Sequence, residues 1–133
     1  MKVERIMAFC AAMALSYAAH AQTGAPPAPP FADLDVPQDK GPQHISTLVR
    51  EFPVGGSSGW HRHTGVEIAY LIAGDMTLEQ EGQVTRVLHS GDSFVVPRGV
   101  AHNGANIGKV PARLVITYVV DKDAPLRTKV PGH

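Results

Sequence analysis

The chain has 133 residues, with twelve Lys and Arg against twelve Asp and Glu and a formal net charge of +0 when its seven histidines are neutral. Balanced charge with no basic run offers no electrostatic footing for nucleic acid or for an anionic membrane surface, so neither is an expected partner. A single cysteine, Cys10, excludes an internal disulfide framework and leaves thiolate chemistry to one residue at most.

The first residues combine Lys2 and Arg5 with an unbroken apolar run from Ile6 to Leu15 and a small-x-small ending at Ala19-His20-Ala21. This pattern predicts a secretory signal peptide over 1–21, cut after Ala21, and an exported, periplasmic or secreted product. The apolar run is about half of what a membrane-spanning helix requires, so no membrane anchor is expected in the mature form. Cys10 lies inside this segment, and the mature chain would carry no thiol. Removing Lys2, Arg5 and Glu4 leaves ten basic against eleven acidic residues. Residues 22–42 follow, with Pro26, Pro27, Pro29, Pro30, Pro37 and Pro42. So many prolines oppose regular structure and favour extended segments, so this stretch reads as a tether. One compact domain over 43–133 remains.

Within that domain short strands are predicted at Ile45–Phe52, Val66–Ile72, Met76–Glu81, Val84–His89, Ser93–Val96 and Arg113–Val120, each bounded by Gly, Pro, Asp or Asn. No helix of useful length is expected, and the spacing suits an all-β sandwich or jelly roll. Glu81-Gly82-Gln83 reads as a hairpin turn. In Arg113–Val120, Leu114, Ile116, Tyr118 and Val120 share one face. In Val66–Ile72, Glu67, Ala69 and Leu71 share a face while Val66, Ile68, Tyr70 and Ile72 fill the other. Two apolar faces on one strand predict that the second is covered, by the opposing sheet's edge or by a second subunit, and a homodimer is the expectation.

Two stretches carry the chemistry. The first is Gly55, five residues, His61-x-His63, three residues, Glu67, six residues and Gly74; the second is Gly91, five residues, Pro97-x-Gly99, two residues, His102, three residues and Asn106. His61 and His63 are two apart, so on a strand they point to one side, and Glu67 returns to that side if the chain stays extended, unless Thr64 and Gly65 interrupt the count with a bulge or turn. Gly91 and Pro97-Arg98-Gly99 read as turns, and Asn103 and Asn106 as turn or backbone-capping residues rather than ligands. His44, His89 and His133 lie outside both stretches and read as ordinary polar histidines.

These ten positions match both motifs of the cupin superfamily, and the chain resembles a small single-domain member. The resemblance implies a double-stranded β-helix, or jelly-roll, barrel in which the two motifs lie on neighbouring strands. It also implies one divalent ion held by His61, His63, Glu67 and His102. Such a nitrogen-rich set suits Fe(II), Mn(II), Ni(II), Co(II) or Zn(II), and affinity order does not choose among them. Ala69 would leave room above the ion, with Leu71, Phe94 or Tyr118 lining an apolar pocket for a small-molecule ligand or substrate. Candidates beyond the quartet, by chemical type alone, are Tyr70, Tyr118, His44, His89 and Arg113.

Two functions from different classes follow. One is a metal-dependent oxygenase of dioxygenase type on a small organic substrate, with Glu67 as the catalytic proton acceptor as well as a ligand. The alternative is a non-catalytic periplasmic protein that binds a small molecule or metal with the same quartet. A sugar or nucleotide-sugar isomerase is a third and weaker reading. Trp60, beside His61, reads as a rim aromatic.

Overall fold

The computed structural model describes residues 41–132; the signal and nearly all of the tether, with His133, lie outside the described residues. Among these described residues nine strands form, in chain order β1 (Gln43–Phe52), β2 (His61–Arg62), β3 (Gly65–Ala73), β4 (Asp75–Gln80), β5 (Arg86–His89), β6 (Ser93–Val96), β7 (His102–Asn106), β8 (Ala112–Asp121) and β9 (Thr128–Lys129). No helix forms among the described residues, and none there is long and apolar enough to cross a membrane. The strands make two antiparallel sheets, a four-stranded one in the order β1-β8-β3-β6 and a five-stranded one in the order β5-β4-β7-β2-β9. The sheets face each other as a jelly roll, the all-β class that the strand pattern predicts.

All six predicted strands are present. Their inner faces make the core: Leu71, Leu114, Ile116, Val96 and Phe94 from one sheet meet Met76, Leu78 and Leu88 from the other, all buried. Alternation in β8 buries Ala112, Leu114, Ile116, Tyr118 and Val120 and turns the residues between them outward. The hairpin between β4 and β5 closes over Glu81-Gly82-Gln83, with Gly82 at φ 76° and the Gln83 amide donating to the Gln80 carbonyl at 3.0 Å.

The outer face of the four-stranded sheet carries the second apolar row of β3. No further sheet covers it among the described residues. Val66 is buried at one end, Ile68 and Tyr70 are half-buried, and Ile45, Val49 and Ile72 are exposed.

Between His63 and Glu67 the path is interrupted at Thr64 and Gly65, the alternative to an extended strand. The chain bends at Thr64 and leaves the five-stranded sheet for the four-stranded one at Gly65. A Cβ on Gly65 would lie 1.9 Å from the Val119 carbonyl oxygen, so only glycine permits this crossing against β8. The bulge in β3 comes later, where register with β8 shifts between Leu71 and Ala73.

Candidate metal centre

Three short strands that the apolar pattern did not mark lie at the site: β2 and β7 carry His61 and His102, and β9 pairs with β2. β2 pairs with β7 in a register that sets His61 directly against His102, with ring centroids 4.2 Å apart. The two sequence motifs therefore do lie on neighbouring strands. His63, two residues beyond His61, returns to the same side, with its ring edge-on at 4.8 Å. His102 is delivered by a turn in which the Val100 amide donates to the Pro97 carbonyl at 3.2 Å, with Gly99 at φ 76°, while the Gly99 amide ties the turn to the His63 carbonyl at 3.0 Å. A proline followed two positions on by a positive-φ glycine fits this geometry.

Glu67 arrives from the opposite sheet. On β3 it lies between Tyr118 of β8 and Val96 of β6 and faces the histidines across the sandwich. Its Oε2 is 2.8 Å from His63 Nε2 and 3.2 Å from His102 Nε2. All four side chains are buried, and one candidate ligand atom from each lies within 4.8 Å of the others, so the group could hold a metal ion.

The hydrogen bonds around the rings fix their protons. His61 Nδ1 donates to the Gly59 carbonyl at 2.7 Å, His102 Nδ1 donates to the Val100 carbonyl at 3.1 Å, and His63 Nδ1 donates to the Leu126 carbonyl. A carbonyl only accepts, so each Nδ1 carries a proton and each neutral ring keeps its lone pair on Nε2. Lone pairs of His63 and His102 thus face a carboxylate oxygen at hydrogen-bond range. That arrangement is repulsive unless a cation or an added proton stands between them, so the donor set fits a divalent ion. Burial lowers the His61 pKa to about 4, with the charges of His102, Arg127 and His63 acting in the same direction, and His61 is neutral at physiological pH. Burial alone would raise the Glu67 carboxyl, but hydrogen bonds and charge from His102 and His63, once these rings carry an added proton on Nε2, outweigh it and hold the group at about 2. Tyr118, whose ring lies 4.9 Å from that of His63, is raised to about 12 by burial and the Glu67 charge and stays a phenol.

Beside the quartet lies a cavity of about 60 Å³ open to the centre of a water-sized sphere. One water needs roughly 10–15 Å³ by this measure, so the space holds several waters or a small organic molecule. Phe94 and Tyr118 line it as expected, with Met76, Leu78, Leu114 and Ile116. Leu71 does not, being fully buried in the core. Among the remaining sequence candidates, Tyr70 is on the outer face, Arg113 is exposed near Glu51 at 3.7 Å, His44 is exposed, and His89 is exposed and bound to Asp75 at 2.7 Å. Sequence reasoning missed Arg50, Ser58, Leu126 and Arg127, which also line the cavity. Asn106 has the backbone role expected of it: its Nδ2 donates to the carbonyls of Phe52, Pro53 and Val110. Asn103 instead bonds side chains, Glu79 at 2.8 Å and Ser58 at 3.3 Å.

Comparison with known proteins agrees with this architecture. Oxalate oxidase 1 of Hordeum vulgare is 27% identical over 106 residues, covering 72% of this chain and 53% of that protein. Germin-like protein subfamily 1 member 10 of Arabidopsis thaliana is 39% identical over 75 residues, covering 51% of this chain and 34% of that one. A solved structure of an oxalate oxidase in complex with the substrate analogue glycolate superposes with a TM-score of 0.58 at 28% identity, covering 65% of this chain and 46% of that one. The chain thus spans about half or less of the length of these relatives. The family profile described as a Cupin domain matches residues 48–118, more than half of the chain. With both motifs brought together on adjacent strands of a two-sheet barrel, the chain belongs to the cupin family.

Proposed function

We propose that the protein is an exported, metal-dependent oxygenase of dioxygenase type acting on a small organic substrate, with His61, His63, His102 and Glu67 as its metal ligands. The observation that carries this reading is the commitment of all three Nδ1 protons to backbone carbonyls, which leaves three Nε2 lone pairs for one buried point beside a carboxylate. Fe(II), Mn(II), Ni(II) or Zn(II) suits such a set, and the relatives named for oxalate oxidation support an oxygen-rich small substrate. A bound redox-active ion would supply open coordination positions and one-electron chemistry. The chain's own contribution is the rest. The apolar walls exclude bulk water, the carbonyls of Gly59, Val100 and Leu126 orient the rings, and Glu67 accepts a substrate proton while Tyr118 offers a hydroxyl donor.

A second reading, a non-catalytic binding protein, is favoured by one feature: among the described residues Glu67 is the only carboxylate lining the cavity. Oxygen uptake separates the two. With metal-loaded protein, an oxygen electrode should record consumption on adding oxalate, a catechol or a 1,3-diketone, and none with Glu67→Gln. No uptake with any of these classes, while a stoichiometric metal is present, would favour binding alone.

A further inference from the structure

The cavity has a cationic mouth built from two chain segments that neither motif contains. Arg50 is on the inward side of β1, in register with Leu114 of β8, and its guanidinium stands 5.1 Å above the Phe52 ring. Arg127 belongs to the segment between β8 and β9 that crosses the opening, held where its Nη2 donates to the Ser58 carbonyl at 2.7 Å. Both line the cavity that holds the quartet, and both lie near enough to Tyr118 for their charge to favour its ionised form. Among the described residues neither arginine is paired with a carboxylate, and the Tyr118 hydroxyl, which also lines the cavity, makes no hydrogen bond. Most of this donor capacity is unused, and the only carboxylate among the described residues lining the cavity, Glu67, faces His63 and His102.

We infer that Arg50 and Arg127, with the Tyr118 hydroxyl below them, form a carboxylate-binding mouth, so that the ligand of this site is a small organic acid whose anionic group sits under the arginines while its other oxygen-bearing end reaches the quartet. This assignment rests on the metal reading above for the inner end of the ligand, but the outer end is fixed by the arginines alone. Guanidinium groups bind carboxylates through two parallel N–H donors and keep their charge at any physiological pH. The small volume limits the ligand to a few carbons, and the apolar walls between mouth and quartet suit a short carbon link.

The test is calorimetric titration of malonate, with uncharged malonamide as control, into the protein as isolated, with metal content measured on the same samples. Malonate is expected to bind saturably and malonamide at least about tenfold more weakly, with Arg50→Gln and Arg127→Gln each lowering malonate affinity by about tenfold or more. Arg50→Lys and Arg127→Lys should recover part of the loss, and raising the salt concentration should weaken binding in the wild type. The Arg50 side chain makes no hydrogen bond among the described residues, so its replacement tests the mouth without disturbing the fold. Malonate affinity unchanged in both glutamine variants, equal affinity for malonamide, or no saturable malonate binding to the wild type would overturn the assignment. The metal content, read separately, decides the quartet's role in each case.

Discussion

His63 Nε2 and Glu67 Oε2 lie 2.8 Å apart, although in the four positions that separate them the chain leaves one sheet and enters the other. The contact therefore spans the interior of the barrel. Removing either partner strands a buried polar group on the opposite sheet, whereas a shared ion would tie the two sheets together and add its binding energy to folding.

Acidification should loosen this centre in a definite pH window. His61 is held at about 4 by burial against 6.5 for an open imidazole, so between those values the unfolded chain binds a proton that the folded chain refuses. Stability contributed there rises with pH and is lost as pH falls. Glu67, held at about 2 against 4.5, acts in the same direction lower down. The melting midpoint of chelator-treated protein should fall steadily from pH 6.5 to pH 4, and metal-loaded protein should release its ion below roughly pH 5.5 as the imidazoles protonate. Thermal melts with metal analysis across this range check both; a midpoint that rises on acidification would contradict the first.

Asn106 links three separate carbonyls to the Gly108 amide, which donates to its Oδ1 at 2.8 Å. Replacement by Ala would leave several of these groups unsatisfied in the interior, at a cost of about 2–4 kcal/mol. In a domain of this size that lowers the melting midpoint by roughly 10–20 °C. Differential scanning calorimetry of Asn106→Ala should show this loss with metal binding retained at temperatures where the barrel is folded.

The outer face of the four-stranded sheet presents Ile45, Val49 and Ile72 to solvent beside half-buried Ile68, Tyr70, Val115 and Val119. A homodimer that covers this face should appear as twice the mature mass in light scattering at micromolar concentration, and Val49→Asp should return it to the monomer. A monomeric mass for the wild type would remove the dimer.

Export predicts a defined mature end. Protein recovered from outside the cytoplasm should begin at Gln22, which N-terminal sequencing or intact mass would establish. Full-length chain retained in the cytoplasm would contradict the signal reading.

Much of this site was legible in the sequence because its ligands are held at fixed spacings by turns with glycine and proline signatures. His61, His63, Glu67 and His102 converge as the motifs imply. The strands with runs of apolar and β-branched residues bounded by turn residues, β1, β3, β4, β5, β6 and β8, were legible for a local reason too. β2, β7 and β9 were not: they are two to five residues long and rich in His, Asn, Gly and Lys. They form because tertiary pairing completes the sheet, and propensity gives no sign of them. Arg50 carried one overlooked signal, since Leu48, Arg50 and Phe52 alternate onto one face of β1. Arg127 carried none, because its place at the mouth comes from an irregular crossing of the opening.

The central claim is that the quartet holds one metal ion, and elemental analysis of the purified protein beside His63→Ala tests it most directly. The account predicts about one equivalent of iron, manganese, nickel or zinc in the wild type and at least about tenfold less in the variant, with far-ultraviolet circular dichroism showing the same barrel in both. No metal in the wild type, or the same metal content in the folded variant, would contradict it.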